Sequence, residues 1–318
     1  MSNIRSIGLL ENQNIVLTGG RGFIGARLEQ HLKQLGANVI KLDRETCADT
    51  IAVDFNNPEQ MKSAVRQINS KSPIHHIFHL AGQKSSAACK KDSLNSLSNA
   101  TNSTLNLLEA CKDLNQLNRI VLISSIGIYG SEEDGYEDLY TEVNSPKTES
   151  IYSSTKVITE SLGLAFAKEF KVPTLIVRLS NVYGPDQPQG ALIPDLISQM
   201  RDPNAVIAMG SDVPIKDFIH IDDVLSGLTA LITTKNIGIG EIFNLCSGEK
   251  SSVKQILDRL VKYKKFCGTI IVDPNKIRPN EKLCLVGSNA KLRSATYWRP
   301  SRSLDEGLRE LCQIMKLK

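Results

Sequence analysis

Short β-branched runs recur along the first half of the chain at 14–17, 38–42, 76–79, 119–123 and 174–178. Runs of this length and composition are those of buried strands in a parallel sheet. Between them, apolar positions return at helical spacing over 23–35, 58–69, 93–114 and 153–170. Strands that alternate with helices predict right-handed crossovers, hence an α/β fold with a doubly wound parallel sheet.

The texture changes after Tyr183-Gly184-Pro185, where Pro185, Pro188, Pro194, Pro203 and Pro214 punctuate short segments without clear alternation. Two runs read as returns to the sheet, at 218–221 (leading into a helix from Asp222) and at 241–245. The remainder mixes helix and short strand. The expected division is a core domain of 1–184, rejoined by about 218–246, and a smaller lobe from 185–217 and 247–318.

Composition narrows the class. The 318 residues are 41% apolar and 23% charged with a net charge of +4, ordinary for a globular protein. Lys262, Lys264 and Lys265 end an amphipathic helical pattern, where cations are favoured, so no nucleic-acid partner is expected. The seven cysteines are scattered and never spaced Cys-x-x-Cys, the usage of reduced cytosolic thiols. The first residues carry no secretory pattern and no apolar run is long enough for a span. The expectation is a cytoplasmic protein with no membrane segment. His75, His76 and His79 lie on a predicted strand without carboxylate or thiol partners in sequence, so no metal is expected. Asp222 and Asp223 read as a helix cap.

Candidate chemistry begins where the first strand runs into Gly19-Gly20-Arg21-Gly22-Phe23-Ile24-Gly25. One glycine permits a tight turn, a second lets the backbone approach a pyrophosphate, and a third allows close helix–strand packing; Gly19, Gly22 and Gly25 have that spacing. The helix then offers the unpaired amides of Phe23, Ile24 and Gly25 to the phosphate. Asp43 ends the second strand, where an acid binds a ribose 2′-hydroxyl and favours NAD. Arg21 and Arg44 keep NADP open as the alternative. Asp54, after a third short strand at 51–53, is a candidate to reach the adenine.

Tyr152 and Lys156 open a helix at i,i+4 spacing, on one face. A neighbouring ammonium favours the tyrosinate, so the expectation is a Tyr152 pKa lowered towards neutrality for proton transfer with a substrate hydroxyl. Ser124 and Ser125 follow the fourth long strand, at the sheet edge where ligands bind. Ser125 is the candidate to hold the reacting oxygen.

Thr18-Gly19…Gly25, His79-Leu80-Ala81-Gly82, Ser124-Ser125…Tyr129-Gly130, Tyr152…Lys156 and Arg178-Leu-Ser-Asn181-Val-Tyr-Gly-Pro185 resemble the extended short-chain dehydrogenase/reductase family, in its nucleotide-sugar epimerase/dehydratase branch. Lys216-Asp-Phe-Ile-His-Ile-Asp-Asp223 and the segment 298–307 extend the resemblance nearly to the C-terminus. It implies a Rossmann-type sheet with a substrate lobe, and a catalytic set of Ser125, Tyr152 and Lys156. It further implies Leu80, Ala81 and Gly82 along the cofactor, with Lys84 touching cofactor and sugar. Asn181, Lys216 and Arg278 fall where relatives hold the nucleotide diphosphate, Leu285 near where they gate the C2 substituent. A homodimer through the helices at 93–114 and 153–170 is also implied.

The departures matter. Dehydratases of this branch carry Asp-Glu directly after the active hydroxyl residue; Ile126-Gly127 stands there, and neither does acid–base work. The customary helical Asn beside the nicotinamide is absent, with Asn99 or Asn102 as substitutes. The usual arginine before Asp-Phe-Ile-His is Lys216, which keeps the charge and loses the fork. The reading is an NAD-dependent epimerase of a nucleotide-diphosphate sugar, acting at C4. A reductase of a 4-keto-6-deoxysugar is the alternative, and a catalytically quiet dinucleotide-sensing protein a third, of another class.

Overall fold

The computed structural model describes residues 8–45, 47, 49–82, 86–130, 139–277 and 283–314. By internal contacts the chain forms two compact units: the first comprises residues up to 128, 145–178 and 228–243, and the second 129–144, 179–227 and 244 onwards.

The first unit is built on the strands β1 (Asn14–Thr18), β2 (Asn38–Asp43), β3 (Thr50–Ala52), β4 (His76–His79), β5 (Arg119–Ser125) and β6 (Thr174–Leu179). In chain order there follow β7 (Asn181–Tyr183), β8 (Val206–Met209), β9 (Ile215–Lys216), β10 (Phe218–His220), β11 (Glu241–Leu245), β12 (Ser251–Ser252), β13 (Thr269–Val272) and β14 (Cys284–Leu285). The helices are α1 (Phe23–Gln34), α2 (Pro58–Lys71), α3 (Ser86–Lys91), α4 (Ser93–Cys111), α5 (Ile151–Phe170), α6 (Leu192–Gln199), α7 (Ile221–Thr233), α8 (Val253–Lys264), α9 (Ala290–Thr296) and α10 (Leu304–Ile314).

The seven-stranded sheet runs β11-β6-β5-β4-β1-β2-β3, and each pairing from β3 across to β5 is parallel. This is the doubly wound order the strand–helix alternation predicts. The order reverses between β1 and β4, so the crevice at their carboxyl ends is the fold's natural ligand site. α2, α4 and α5 pack side by side on the sheet. Their apolar stripes and the strands bury Val16, Ile77, Leu107, Leu108, Ile120, Leu122 and Ile176 in one core. α5 seats closely because Gly163 faces Leu122; a β-carbon there would lie 2.4 Å from the leucine Cδ1.

The expected helix at 93–114 is the single helix α4, which ends at Cys111. Asp92 separates it from the short α3 and caps it by accepting from the Asn95 amide.

The second unit carries three small sheets, β10-β7, β12-β9-β14 and β13-β8, beside α6, α8 and α10. Its core gathers Tyr183, Ile193, Leu196, Ile207, Phe218, Ile256, Leu260 and Leu308. Two ties hold its irregular segments. Asp223 does not cap α7: its oxygens accept from the Ser301 amide and hydroxyl and the Arg302 amide at 2.8, 2.8 and 3.0 Å, and His220 Nδ1 takes the Asp222 amide instead. Trp298 donates its indole N–H to Ser226 Oγ at 2.9 Å and lies against Gly227. No described helix is long and apolar enough to cross a membrane, and the described residues contain no cluster of three or more metal-ligating side chains.

Candidate active site

The turn after β1 has the geometry that phosphate chemistry needs. Gly19 sits at φ +69°, and a β-carbon there would come within 2.8 Å of the Ala81 amide nitrogen. At Gly25 a β-carbon would lie 2.5 Å from the Gly19 carbonyl. Both glycines are therefore required by the protein's own packing. Gly22 is different: its β-carbon would meet only the Gly19 oxygen, at 3.4 Å. Its smallness leaves room for a group to approach the backbone from outside. Gly22 is also the N-cap of α1 with no side-chain cap, and the first turn holds no acid, so the amides of Phe23, Ile24 and Gly25 stay open to an anion. The donor set fits the pyrophosphate of a dinucleotide.

Asp43, at the end of β2, accepts from the Arg44 amide at 2.8 Å and from the Arg21 amide at 3.4 Å. Arg21 is paired with Glu45, which turns its guanidinium to a carboxylate. Two acids around this strand end suit a ribose hydroxyl better than a phosphate. Asp54 follows β3; its Oδ1 accepts the Asn56 amide at 3.0 Å and thereby closes a turn.

Ser150 positions the helix that carries Tyr152 and Lys156. Its hydroxyl accepts from the Ser153 amide while Ser153 Oγ accepts from the Ser150 amide, a reciprocal cap that places Tyr152 in the first turn of α5. Ser125 ends β5 and takes the Gly127 amide at 3.0 Å. A β-carbon on Gly127 would lie 3.1 Å from Ser125 Oγ and 3.7 Å from Tyr152 Cε1, so Ser125 and Tyr152 converge over a residue without a side chain. Ile126 is buried. Lys156 lies behind the pair, its Nζ 5.8 Å from the Tyr152 ring centre and donating to the Ile123 carbonyl at 3.1 Å. Gly82 is close by, a β-carbon there reaching 3.8 Å from the same Nζ.

The electrostatics correct one expectation. Burial pushes the Tyr152 phenol above its usual range, with a hydrogen bond from Ser125 working against it. The Lys156 ammonium donates to the Ile123 carbonyl rather than to the phenol. Lys156 itself is brought down to about 8 by burial, against the charge of Glu160 one turn on.

Sequence reasoning missed Glu160. It lies on the α5 face that carries Lys156, accepts the Ser124 hydroxyl at 2.5 Å and receives a two-pronged ion pair from Arg178 at 2.9 and 2.7 Å. All three side chains are buried. A glutamate four residues after a catalytic lysine is the signal that was available. Of the substitutes for the absent asparagine, Asn99 is occupied by the Asn56 amide at 2.7 Å.

In the second unit, Asn181 donates its side-chain amide to the Asp217 carbonyl at 2.8 Å, and Lys216 pairs in register with Leu285 across β9 and β14. Asp217 ties these segments together, accepting from the Ser247 amide and hydroxyl and the Gly248 amide at 2.9, 3.0 and 2.8 Å. Burial raises its carboxyl to about 6. Asn181 and Leu285 thus meet at the Asp217 backbone, next to Lys216. Lys84 and Arg278 lie outside the described residues.

A glycine turn at the switch point of a parallel sheet, with Ser125, Tyr152 and Lys156 beside it, defines an α/β dinucleotide-dependent enzyme. The chain belongs to the NAD dependent epimerase/dehydratase family, whose model matches residues 15–246. It is similar to GDP-6-deoxy-D-mannose reductase of Pseudomonas aeruginosa, 25% identical over 94% of this chain and 96% of that one. It is also similar to ADP-L-glycero-D-manno-heptose-6-epimerase of Brachyspira hyodysenteriae, 27% identical over 95% and 98%. Among solved structures, UDP-glucuronic acid 4-epimerase of Bacillus cereus, in complex with UDP-glucuronic acid and NAD, superposes with a TM-score of 0.83 at 26% identity over 95% of this chain and 100% of that one.

Proposed function

We propose that the chain epimerises a nucleotide-diphosphate sugar at C4, with NAD and through a 4-keto intermediate. The observation that carries this reading is the convergence of Ser125 and Tyr152 over Gly127: one hydroxyl to hold the reacting oxygen and one phenol to move its proton. Buried Ile126 and bare Gly127 argue against dehydration.

Ser125 donates to the C4 oxygen as Tyr152 accepts the C4 hydroxyl proton. NAD, when bound, would supply the acceptor and later the donor of the C4 hydride, and its oxidised ring would favour the ionised form of the Tyr152 phenol. Tyr152 hands its proton back as the 4-keto sugar is reduced. Gly22 and the α1 amides hold the pyrophosphate, Asp43 the adenosine ribose and Asp54 the adenine side. Leu80, Ala81, Gly82 and Lys156 line the nicotinamide half, with Lys84 touching both cofactor and sugar.

Asn181, Lys216 and Arg278 take the substrate diphosphate in this reading, making residues 185–217 and 247–318 the substrate lobe. Leu285 borders the C2 substituent. A cytoplasmic homodimer through α4 and α5 completes the proposal; Leu105 and Leu164, 37% and 38% exposed, support that face.

A reductase of a 4-keto-6-deoxysugar is the second reading, favoured by the likeness to GDP-6-deoxy-D-mannose reductase over nearly both full lengths. Both are tested by denaturing freshly purified protein, identifying released nucleotide by mass spectrometry, and following UDP-, GDP-, dTDP- and ADP-sugars by proton NMR without added cofactor. Retained NAD with conversion to a C4 epimer supports the epimerase. Conversion of a 4-keto sugar only with added NADH or NADPH replaces it with the reductase. No conversion of any sugar, with nothing retained, removes both.

A further inference from the structure

The first unit buries a histidine that no step of this reaction uses. His79, at the end of β4, is 2% exposed, and both ring nitrogens have partners: Nδ1 lies 2.8 Å from Thr18 Oγ1 and Nε2 3.3 Å from Thr104 Oγ1. Thr104 also meets Thr159 Oγ1 at 3.3 Å. At one end Thr18 Oγ1 accepts the Ala81 amide at 3.3 Å; at the other Thr159 donates to the Thr155 carbonyl at 3.2 Å.

The two ends fix every proton between them. A carbonyl only accepts, so the Thr159 hydroxyl proton goes to Thr155, and Thr159 in turn accepts from Thr104. Thr104 has then given away its one proton and must accept from His79 Nε2–H. A neutral imidazole carries a single N–H, so Nδ1 is bare and takes the Thr18 proton. The Thr18 oxygen is left to receive the Ala81 amide. With the proton on Nδ1 instead, the Thr18 hydroxyl loses its acceptor and Thr159 its donor, an expensive outcome where no water reaches.

We propose that Thr18, His79, Thr104 and Thr159 form one directed hydrogen-bond relay, from the Ala81 amide to the Thr155 carbonyl, that positions the catalytic helix against the dinucleotide floor. Ala81 packs on Gly19 of the phosphate turn, and Thr155 sits between Tyr152 and Lys156 with its own hydroxyl donating to the Tyr152 carbonyl at 2.7 Å. Burial, and then the charge of Lys156, hold His79 neutral with a pKa near 3, so the single N–H on which the direction depends persists across the working pH range. A fully satisfied buried chain of this kind fixes its members relative to one another. The relay belongs to the fold and is independent of the choice between epimerase and reductase.

The first test needs no variant: nitrogen-15 NMR of the histidine rings assigns the tautomer. His79 is expected to carry its proton on Nε2, with Nδ1 bare, unchanged from pH 8 down to about 5. A proton on Nδ1, or an imidazolium at neutral pH, overturns the relay. The second compares Thr104→Val with Thr104→Ser by NADH fluorescence titration. Losing the hydroxyl is expected to weaken NADH binding about fivefold and perturb the Nε2–H resonance, and serine to restore both. A folded valine variant with wild-type affinity and an unmoved resonance also overturns the proposal. Should the valine variant fail to fold, Thr159→Ala asks the same question one link further along.

Discussion

Each unit buries a carboxylate beside its candidate site, and the two are held in opposite ways. Glu160 in the first unit faces the guanidinium of Arg178 through two hydrogen bonds, with the Ser124 hydroxyl added. Among the described residues, Asp217 in the second unit meets neutral donors, the amides of Ser247 and Gly248 and serine hydroxyls. Neutral donors offset the burial of a carboxylate incompletely, and Asp217 rises to about 6. The first unit is thus braced by full charges and a closed polar chain. The unit assigned to recognition is braced by backbone amides around one titratable group.

The largest effect expected is on chemistry. Tyr152→Phe should cut turnover about 10³-fold with NADH affinity kept, measured by kinetics and titration on the same preparation. Wild-type turnover in that variant would remove the catalytic assignment. Next comes the brace: Glu160→Gln leaves Arg178 buried without its counter-charge and should cost about 3 kcal/mol in denaturant unfolding. A loss below about 1 kcal/mol would mean that the ion pair is not what seats α5.

The pH response sharpens the contrast, read by amide hydrogen exchange in each unit. His79 binds its proton near pH 3 when folded and near 6.5 when unfolded. Unfolding therefore takes up a proton between those values, and the first unit weakens as pH falls through that window. Asp217 is protonated below about 6 when folded and below 3.8 when unfolded. Unfolding releases its proton, so the stability from its protonated form is lost as pH rises from about 4 to 6. Parallel responses in the two units would break the comparison. Asp217→Asn turns an NH₂ towards an amide donor and should loosen exchange around Ser247 and Gly248 by about 1–2 kcal/mol, leaving β4 and α5 unchanged. Smallest of all, Lys216→Arg restores a forked donor and should lower the substrate KM about twofold with kcat unmoved.

What could be read from the sequence follows the length of each signal. The strands and helices of the first unit are long enough to show their periods, and Gly19, Gly22, Gly25, Ser125, Tyr152 and Lys156 stand at fixed spacings within them. The two-residue strands β9, β12 and β14 are too short to have a period; they exist because Asp217, Ser247 and Leu285 hold them. Glu160 and His79 look in sequence like an ordinary helix acid and an ordinary strand histidine. Their roles arise from partners brought in by other elements, Arg178 from β6 and Thr104 from α4. The Tyr152 phenol is raised rather than lowered for a related reason: i,i+4 spacing puts Lys156 on the right face but does not reveal how deeply the phenol is buried.

Trp298 is the chain's single tryptophan and lies wholly within the second unit, pinned by Ser226. Intrinsic fluorescence is therefore a natural reporter of that unit alone. Selective excitation of the indole lets loosening of the second unit be watched in unmodified protein, with emission shifting to the red as water reaches the ring, while the first unit stays dark.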